Sequence, residues 1–502
     1  MPDVFWKQFK SGTDIRGVAV EGVEGEPLTL TDDVVERMAG GFARWLCETC
    51  GKPLTDISVS VGHDPRISAQ RIKAGVIKAL TGAGFVVLDC GLSSTPAMFM
   101  TTVDAGCDGA VQITASHHPF HRNGLKFFTR QGGLESDDIA QILTYAQNGQ
   151  APTQSGGRVQ PFPYMETYAR MLRDMIKREV NATDFDRPLE GFSITVDAGN
   201  GAGGFYAFDV LEPLGADVSS SQFLTPDGHF PNHVPNPEDE TAMRSVCTAV
   251  QRAGSDLGVI FDTDVDRAGC VDGNGQELGR NRLIALASLI ALENAPGGTI
   301  VTDSVTSAGL KPFIETHLNG VHRRFKRGYK NVINEAIRLN RSGTAAPLAM
   351  ETSGHAAFQE NYFLDDGAYL STKIIIKMAQ LKKENKTLQS LIETLSEPLE
   401  SSECRFKILK PDFAAYGHDV IDALFDYAHA QPDFHVADDN CEGIRVSFDQ
   451  DNGDGWFLLR LSVHDPIMPL NIESNRAGGV DVIKSKLRAF FRRFDRLDAS
   501  SL

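Results

Sequence analysis

The sequence lacks the features that would place the protein in a membrane or outside the cell. It contains no apolar run long enough to cross a bilayer. Its first ten residues, MPDVFWKQFK, lack the apolar core of a secretory signal peptide. The eight cysteines are scattered and form no dense framework, which favours reduced thiols over a disulfide scaffold. We therefore expect a cytoplasmic protein.

Positive charge is also scarce. The chain has 49 Lys and Arg against 66 Asp and Glu, and its formal net charge of −17 argues against nucleic acid or an anionic membrane as a partner. A local basic pocket for a small phosphorylated ligand remains compatible with this balance. The 41% of hydrophobic residues is typical of a soluble globular protein, and 502 residues exceed one ordinary domain.

Strand-like and helix-like segments alternate along the chain. Residues 57–62 predict a strand, Ser68 is a candidate N-cap, and apolar residues follow it at helical spacing (Ile72, Val76, Ile77, Leu80). Further strands are predicted in FVVLDCG (85–91) and GAVQITAS (109–116). This alternation predicts a parallel sheet with covering helices.

The alternation returns twice. FSITVDAGNGAGG (192–204) reads as a strand and a Gly-rich turn, with a helix expected next and a strand in LGVIFDTD (257–264). GTIVTDSVTSAG (298–309) and APLAMETSGH (346–355) repeat the pattern of a strand followed by a polar loop. We therefore expect three similar α/β units with functional loops at the carboxyl ends of their strands. Polar, Gly- and Pro-containing segments at 147–163, near 280–298 and at 396–403 mark the expected boundaries.

Three acidic residues follow one of the predicted strands. FDTDVDR places Asp262, Asp264 and Asp266 at every second position, which lets three carboxylates converge on a hard cation such as Mg²⁺. An EF-hand is excluded, because Arg267 stands in place of its glycine and Gly273 in place of its bidentate glutamate. The alternative is a solvated acidic turn. An arginine directly after the acids also suits a phosphate bound to the same metal.

A serine lies beside a group of histidines in TASHHPFH (114–121). Ser116 follows an apolar strand on a loop constrained by a proline, so it is either a turn residue or a nucleophile. His117, His118 and His121 raise the possibility of zinc, but adjacent histidines rarely ligate one ion together. Lys126 in NGLKFF places a cation in the same loop-strand unit, which favours a chemical role for the serine.

Two weaker patterns complete the candidate set. In METSGH, Glu351, Ser353 and His355 surround a glycine after a strand, and their polar groups suit the vicinal hydroxyls of a sugar or a simple turn. Arg16 in SGTDIRG and Arg66 in GHDPRIS are each compatible with a phosphate contact or with an ordinary surface position.

Taken in order, these stretches resemble the α-D-phosphohexomutase superfamily. The resemblance covers the whole chain through GTDIRG, GHDPRIS, STPA, TASHHP, NGLK, DAGNGAGG, FPNHVPNPE, DTDVDR, ETSGH and LRLSVHDP. It implies an α/β fold with three similar α/β domains with mixed sheets plus a smaller α+β C-terminal domain around a central cleft. We place the domains at 1–155, 156–285, 286–398 and 399–502, carrying respectively the phosphoserine, magnesium, sugar and phosphate loops.

The resemblance also implies a reaction. A hexose 1-phosphate becomes a hexose 6-phosphate through a phosphoserine enzyme and a hexose 1,6-bisphosphate intermediate, with Mg²⁺ as cofactor. The implied metal ligands are Ser116, Asp262, Asp264 and Asp266, and the implied catalytic residues are Ser116, Arg16, Lys126, Arg267 and His355. Glu351 and Ser353 match the family positions that contact sugar hydroxyls.

The sequence departs from the family most clearly in its last domain. The loop that clamps the non-transferring phosphate reads RLSVHDP here, where Arg460 and Ser462 are kept but Val463 and His464 replace two hydrogen-bonding residues. Pro469 stands where the family commonly has arginine. We expect an altered clamp formed by Arg460, Ser462 and His464, with His464 as a substitute donor.

The loop ETSGH is more typical of phosphomannomutases or of enzymes with dual mannose and glucose specificity than of dedicated phosphoglucomutases, so mannose and/or glucose phosphates are the expected substrates. Phosphoglucosamine mutase has a similar loop and is the alternative, as is a sugar-phosphate binding protein that has lost turnover. A Mg²⁺-dependent phosphatase, in which the phosphoenzyme reacts with water, is a further alternative. The expected partners are small sugar phosphates, without nucleic acid or membrane, and the expected state is a monomer or homodimer.

Overall fold

The computed structural model describes residues 3–462 and 465–502. The chain forms two compact units. The first runs through Gly279 and also includes Ser353–Ser390, and the second comprises Arg280–Thr352 and Leu391–Leu502. Within the described ranges, every helix is too short or too polar to span a membrane.

The first α/β region belongs to the first unit. Its strands are β1 (Lys10–Ser11), β2 (Asp14–Val18), β3 (Ser58–His63), β4 (Val86–Leu92), β5 (Gly109–Ile113), β6 (Arg122–Thr129), β7 (Gly132–Gly133) and β8 (Arg158–Pro161). Its helices are α1 (Asp3–Lys7), α2 (Asp32–Cys50), α3 (Ala69–Gly82), α4 (Thr95–Asp104), α5 (Ser136–Asn148) and α6 (Met165–Val180). The sheet order is β1-β2-β6-β5-β3-β4-β8, with β7 paired to β6.

The predicted strands of this region are confirmed, but the sheet is mixed rather than parallel. β3 pairs with β4 and β5 in parallel, whereas β6 is antiparallel to both β5 and β2. The predicted linker 147–163 is wrong in part, because β8 lies within it and pairs in parallel with β4. All four side chains of β8 are exposed, so this edge strand has no apolar alternation to mark it.

The prediction for Ser68 is correct for its position but not for its side-chain contact. Ser68 occupies the N-cap position of α3, but its side chain makes no cap hydrogen bond. Instead the Asn123 side-chain amide donates to Ser68 Oγ at 2.9 Å. The serine therefore joins the start of α3 to β6.

Helix α2 anchors β6 to the core. Its apolar face buries Phe42 completely, and the Phe42 ring stacks on that of Phe127 with centroids 4.5 Å apart. Burying a phenylalanine contributes about 1.5–3 kcal/mol, so this pair fixes the face that β6 turns to α2. Because side chains alternate along a strand, the neighbouring Lys126 points to the opposite face.

The second α/β region also belongs to the first unit. It contains β9 (Ile194–Asp197), α7 (Glu240–Ala253), β10 (Leu257–Phe261) and β11 (Ala268–Asp272). β10 is parallel to β9 and antiparallel to β11. The helix expected after the Gly-rich turn is a short π-helical segment, Tyr206–Leu211, continued by a 3₁₀ turn at Glu212–Leu214.

The third α/β region lies mainly in the second unit. It contains α8 (Arg280–Asn294), β12 (Thr299–Asp303), α9 (Leu310–Pro312), β13 (Val321–Phe325), α10 (Tyr329–Arg341) and β14 (Leu348–Met350). β12 is parallel to both β13 and β14, which confirms the two predicted strands. The chain then returns to the first unit with the antiparallel pair β15 (Ala356–Phe358) and β16 (Leu364–Asp365) and with α11 (Gly367–Lys383).

The C-terminal region of the second unit is built around an antiparallel sheet. Its elements are β17 (Glu400–Ile408), α12 (Phe413–His429), β18 (His435–Val436), β19 (Ile444–Phe448), β20 (Gly455–Leu459), β21 (Ile467–Ser474), α13 (Gly479–Phe491) and β22 (Leu497–Asp498). The strand order is β18-β19-β20-β21-β17-β22. The predicted fold class, three α/β regions with mixed sheets followed by a smaller sheet domain, is confirmed.

A buried pair of side chains, His233 and Asp197, stabilises the C-terminal end of β9. His233 Nε2 lies 3.1 Å from both carboxylate oxygens of Asp197, and His233 Nδ1 lies 2.9 Å from the Val234 carbonyl oxygen. Since both ring nitrogens face acceptors, the charged imidazolium suits the site. Burial lowers the pKa of His233, but hydrogen bonding and attraction to Asp197 outweigh it and raise the pKa.

We predict that His233→Gln destabilises the first unit more at low pH than at high pH. A raised folded-state pKa contributes stability that is fully present below the unfolded pKa and is lost as pH rises through the folded value. A loss of about 2 kcal/mol is expected near pH 5.5, shrinking toward pH 9. Urea unfolding at several pH values measures it. His229→Gln, which removes an exposed histidine beside Asp227, is the control, and an equal loss at all pH values would contradict the prediction.

Candidate active site

Ser116 lies on the loop that follows β5. Its backbone φ is +52°, a left-handed conformation that is uncommon for residues other than glycine, and its side chain is almost fully buried. The Ser116 N–H donates to Thr114 Oγ1 at 3.0 Å. A strained backbone of this kind persists only where its surroundings hold it, and such positions cluster at functional sites.

Arg66 holds this loop in place. The Arg66 side chain is fully buried, and its guanidinium donates to Asp64 Oδ2 at 3.0 Å. It also donates to the carbonyl oxygens of Pro119 at 2.8 Å, Arg122 at 2.9 Å and His118 at 2.7 Å, and to that of Ser116. Arg66 is therefore neither a surface residue nor free to bind a phosphate, the two roles that the sequence suggested.

The three aspartates lie on the loop between β10 and β11. Asp262, Asp264 and Asp266 are at most 2% exposed, and one carboxylate oxygen from each lies within 4.8 Å of the others. Val265 between them has a φ of +68°, which a β-branched residue rarely adopts. Burial, followed by the charges of Asp266 and Asp264, raises the pKa of Asp262 well above its usual range. The loop thus concentrates negative charge.

The aspartate loop retains open acceptors. Asp264 Oδ1 and Asp266 Oδ1 are buried and have no hydrogen-bond partner among the described residues. Buried carboxylate oxygens without a donor are costly, and oxygen ligands at this spacing are what Mg²⁺ and similar hard cations prefer. The residues present therefore fit a divalent metal, as the sequence predicted.

Lys126 and Arg267 bring the two loops together. Lys126 Nζ donates to Asp264 Oδ2 at 2.9 Å and also to Asp266 Oδ2. Arg267 donates from a terminal nitrogen to Ser116 Oγ at 3.3 Å, and Ser116 Oγ donates to Asp262 Oδ2 at 3.2 Å. Ser116, the aspartates, Lys126 and Arg267 thus form one buried cluster.

Thr95 of the STPA motif and Arg16 of β2 complete the support. The Thr95 N–H, at the start of α4, donates to the Asp264 carbonyl oxygen at 2.8 Å, and its hydroxyl donates to the Asp264 carboxylate. Arg16 on β2 pairs across from Gly124 of β6 and donates to Asp14 Oδ2 at 2.9 Å. The Arg16 Nε is buried without a partner among the residues that the structure describes.

Two of the neighbouring histidines, His117 and His118, favour the neutral form. Burial and the charge of Arg267 lower the pKa of His117 to about 2, and burial and the charge of Arg16 lower the pKa of His118 to about 3. Since Arg267 donates to His117 Nδ1 at 3.2 Å, that nitrogen is the acceptor of the ring. None of the possible metal-binding groups of three in the described chain includes His117, His118 or His121.

His355 joins the cluster through the loop after β14. His355 forms an isolated antiparallel bridge with Arg267, and Gly354 (φ +94°) packs so closely that an added Cβ would lie 2.5 Å from the Ala268 carbonyl oxygen. His355 Nδ1 bonds Asp365 Oδ2, and ligand atoms of Asp266, His355 and Asp365 lie within 4.8 Å of one another. Burial and the Asp266 charge raise the pKa of Asp365 well above its usual range.

Asp365 and Thr95 were not predicted as site residues. Asp365 is the first acid of the LDDG segment before α11. The only sequence feature that could have indicated Asp365 as a site residue is this pair of acids directly before a helix. Thr95 occurs in a motif that the resemblance covered without assigning it a role. Ser353, which was predicted, is buried beside Gly354 in the first unit.

The remaining predicted residues belong to the second unit and are described within it. Glu351 Oε1 accepts the Gly328 N–H at 2.6 Å. Arg460 follows β20 with a buried Nε that has no partner among the described residues, and burial together with the charge of Arg327 lowers its pKa. Ser462 Oγ accepts the Asp465 N–H at 3.3 Å. The predicted residue His464, with Val463, lies outside the described residues.

Known protein families match most of the chain. The phosphoglucomutase/phosphomannomutase alpha/beta/alpha domain I matches residues 8–152, domain II matches 166–275 and domain III matches 280–398. A phosphomannomutase/phosphoglucomutase of Pseudomonas syringae pv. tomato is 29% identical over 501 residues, covering 98% of this chain and 96% of the relative. A phosphoglucomutase of Neisseria meningitidis is 28% identical over 474 residues, covering 94% and 95%.

Solved structures agree with these matches. A phosphoglucomutase/phosphomannomutase family protein of Burkholderia thailandensis has a TM-score of 0.78 and 25% identity, covering 97% of each chain. An N-acetylphosphoglucosamine mutase of Aspergillus fumigatus, at 14% identity and a TM-score of 0.53, shares the fold over 91% of this chain and 96% of its own. The resemblance read from the motifs is confirmed, and the chain belongs to the phosphoglucomutase/phosphomannomutase family of the α-D-phosphohexomutase superfamily.

Proposed function

We propose that the protein is a Mg²⁺-dependent phosphohexomutase that interconverts hexose 1-phosphates and hexose 6-phosphates through a phosphorylated Ser116. One observation carries the proposal. The buried hydroxyl of Ser116 lies 3.2 Å from Asp262 Oδ2 and 3.3 Å from a terminal nitrogen of Arg267, beside two further aspartates and Lys126. Phosphoryl transfer requires positioning and charge neutralisation, and this cluster supplies both.

The metal would be held by Asp262, Asp264, Asp266 and the phosphorylated Ser116. Bound there, Mg²⁺ would withdraw charge from the phosphoryl oxygens and orient the group. The chain's own cations add positive charge at the same cluster. Arg267 contacts the Ser116 oxygen, while Lys126 and Arg16 place two more positive charges around the loop.

The proposed reaction consists of two phosphoryl transfers, one from Ser116 to the sugar and one from the sugar back to Ser116. The bond between phosphorus and Ser116 Oγ breaks as a sugar hydroxyl oxygen bonds to phosphorus, which gives the hexose 1,6-bisphosphate. The sugar then reverses, and its other phosphoryl group returns to Ser116. His355 takes the hydroxyl proton and later returns it, because Asp365 fixes its Nδ1 and orients the ring. Asp365 is thus a positioning residue in this scheme.

The remaining predicted residues would bind the substrate. Glu351 and Ser353 would accept or donate hydrogen bonds to sugar hydroxyls, and Arg460, Ser462 and His464 would bind the phosphate that is not transferred. The relatives' names, phosphoglucomutase and phosphomannomutase/phosphoglucomutase, support glucose and mannose phosphates as the substrates. We also propose four domains at 1–155, 156–285, 286–398 and 399–502, a cytoplasmic location and a monomer or homodimer.

Arg66 acts as a positioning residue for the nucleophile. Its donations to four carbonyl oxygens between Ser116 and Arg122 tie the whole loop to one buried guanidinium. A lysine in its place keeps the charge but loses the planar fork that reaches several acceptors at once. The geometry of Ser116 therefore depends on a side chain fifty residues earlier in the chain.

The proposed reaction predicts one product for each accepted sugar. With Mg²⁺ and a trace of hexose 1,6-bisphosphate, ³¹P NMR of mannose, glucose or glucosamine 1-phosphate is expected to show growth of a 6-phosphate resonance for mannose, glucose or both. Release of inorganic phosphate alone would indicate a phosphatase, and no conversion of any sugar would contradict the proposal. Conversion of glucosamine 1-phosphate alone would assign the alternative substrate.

Ser116→Ala is expected to lower mutase turnover by roughly a thousandfold or more, because the group that carries the phosphoryl is removed. Sugar-phosphate binding, measured by calorimetry, is expected to persist. The control is Ser288→Ala, which removes a buried hydroxyl on α8 that has no hydrogen-bond partner among the described residues. Turnover by the Ser116 variant at the wild-type rate would remove this serine from the mechanism.

The aspartate loop predicts a metal affinity that depends on Asp262. Asp262→Asn keeps the size of the side chain and leaves the Lys126 ion pairs intact, so the fold is expected to persist. Mn²⁺ binding followed by electron paramagnetic resonance is expected to weaken about tenfold or more, because one anionic ligand is lost. Asp227→Asn, at an exposed turn, serves as the control. Equal Mn²⁺ affinity in wild type and Asp262→Asn would rule out this metal site.

Arg66→Lys is expected to lower turnover by about tenfold to a hundredfold, since misplacing a reacting group by about 1 Å has that effect. Hydrogen exchange at residues 116–122 is expected to accelerate, which a purely catalytic role would not produce. Arg37→Lys is the matched control, because Arg37 donates to the carbonyl oxygens of Ala146 and Gln147, away from the loop. Unchanged hydrogen exchange and unchanged turnover in Arg66→Lys would show that the planar guanidinium of Arg66 is not required.

A further inference from the structure

Two sequence motifs, DAGNGAGG (197–204) and FPNHVPNPE (230–238), supply none of the side chains assigned to the proposed reaction. Both lie in the first unit, the former at the end of β9 and the latter before α7. Asn200 in the first motif has a φ of +60°, and Phe230 in the second has a φ of +51°. Strained backbones of this kind cluster at functional sites, so the contacts of these two segments bear on the site.

The turn at 227–230 packs against Arg66. Gly228 forms an isolated parallel bridge with Arg66, and a Cβ on Gly228 would lie 2.3 Å from the Pro65 carbonyl oxygen. Only glycine therefore allows the two backbones to approach this closely. The Arg66 guanidinium lies over the Phe230 ring, with Cζ 5.3 Å from the ring centroid. The second α/β region thus contacts both the backbone and the side chain of Arg66.

The guanidinium of Arg66 uses all of its nitrogens as donors. Its Nε donates to Asp64, and its two terminal nitrogens donate to four carbonyl oxygens within residues 116–122. Any further contact that holds the guanidinium must use its charge or its flat face. The Phe230 ring supplies such a contact. It supports Arg66 without competing for the donors that fix the Ser116 loop.

Asn200 holds the turn at 227–230 in place. The Asn200 carbonyl oxygen accepts the Asp227 N–H at 2.9 Å, and the Asn200 N–H donates to the Phe223 carbonyl oxygen at 2.8 Å. The side-chain amide of Asn200 donates to the Thr225 carbonyl oxygen at 2.9 Å, and its Oδ1 accepts from the Asn232 side chain at 2.7 Å. One buried residue therefore bonds to the chain before the turn, at its start and after it.

The Gly-rich segment that contains Asn200 also contacts the aspartate loop. The Ala202 N–H donates to the Thr263 carbonyl oxygen at 2.8 Å. Thr263 lies between Asp262 and Asp264 in the chain. A continuous series of contacts within the first unit therefore leads from the aspartate loop through Asn200 and the turn at 227–230 to Arg66, and from there to the Ser116 loop.

We propose that Asn200, Gly228 and Phe230 are positioning residues that fix Ser116 relative to the aspartate loop, an inference that rests on the proposed function. They act on the Ser116 loop through Arg66 and on the aspartate loop through the backbone of Thr263. None of the three is among the groups assigned to substrate or metal. Their loss is therefore expected to lower kcat and to leave KM for the sugar phosphate near its wild-type value.

The first test is Asn200→Gly in the full chain. Glycine adopts a φ of +60° readily, so the variant removes the side-chain hydrogen bonds and keeps the backbone conformation. Hydrogen exchange at residues 116–122 is expected to accelerate, and kcat is expected to fall by about tenfold to a hundredfold, the effect of misplacing a reacting group by about 1 Å. The matched control is Asn181→Gly, which changes the same residue type at a φ of +46° at the end of α6.

The second test is Gly228→Ala, in which the new Cβ pushes the turn away from Arg66. The same acceleration at residues 116–122 and the same fall in kcat are expected, while exchange in α7 stays at its wild-type rate. Gly82→Ala is the control, because a Cβ there meets nothing within 4 Å. Phe230→Leu, which keeps an apolar side chain but removes the ring under the guanidinium, carries the test if Gly228→Ala does not fold.

Three results would overturn the proposal. The first is wild-type exchange at residues 116–122 in these variants, and the second is faster exchange there with kcat unchanged. The third is faster exchange throughout the first unit, which would assign the two motifs to overall stability. If the wild type shows no mutase activity, faster exchange confined to residues 116–122 would support the contacts with Arg66 and would contradict the proposed function instead.

Discussion

The ion pairs of Lys126 with Asp264 and Asp266 are the contact on which the candidate site depends. They join β6 of the first region to a loop of the second, across 138 and 140 residues of chain. Burying such charges costs about as much as their attraction returns, so the pairs add little net stability, whereas losing one partner costs about 3–5 kcal/mol. Their consequence is that they fix the position of the aspartate loop relative to β6. With Lys126 seated, Ser116 faces Asp262, and Arg267 reaches Ser116 Oγ.

Fixing the relative position of the two loops would not by itself hold the site, because the Ser116 loop and the aspartate loop both have strained backbones. Ser116 and Val265 each adopt positive φ angles, and each conformation is held by groups outside its own loop. Arg66 fixes the carbonyl oxygens around Ser116, and the Thr95 N–H fixes that of Asp264. The strain is offset by hydrogen bonds from rigid elements, which is how a site is held in a geometry that its local sequence does not favour.

The sequence predicted the residues at strand ends better than the residues that support them. Ser116 and the three aspartates follow apolar strands, so their position at the sheet edge could be read from local pattern. Arg66 could not be read in this way, because its acceptors are backbone carbonyls about fifty residues away, and carbonyls have no sequence signature. β8 was missed for a related reason, since an exposed edge strand needs no apolar alternation. Contacts made by the backbone, or made across the fold, appear only in three dimensions.

The charge of the cluster explains why the proposed metal and the proposed seryl phosphate would each favour the binding of the other. Asp262, Asp264, Asp266 and Asp365 are four buried carboxylates, whereas among the described residues the cations in contact with the aspartate loop are Lys126 and Arg267, and Arg16 is paired with Asp14. The raised pKa values of Asp262 and Asp365, which follow burial and the charge of Asp266, express the excess of negative charge. In the proposed site a divalent cation would offset that excess and would favour a seryl phosphate, which carries about two negative charges. The metal and the phosphoryl group would thus each improve the electrostatic conditions for binding the other.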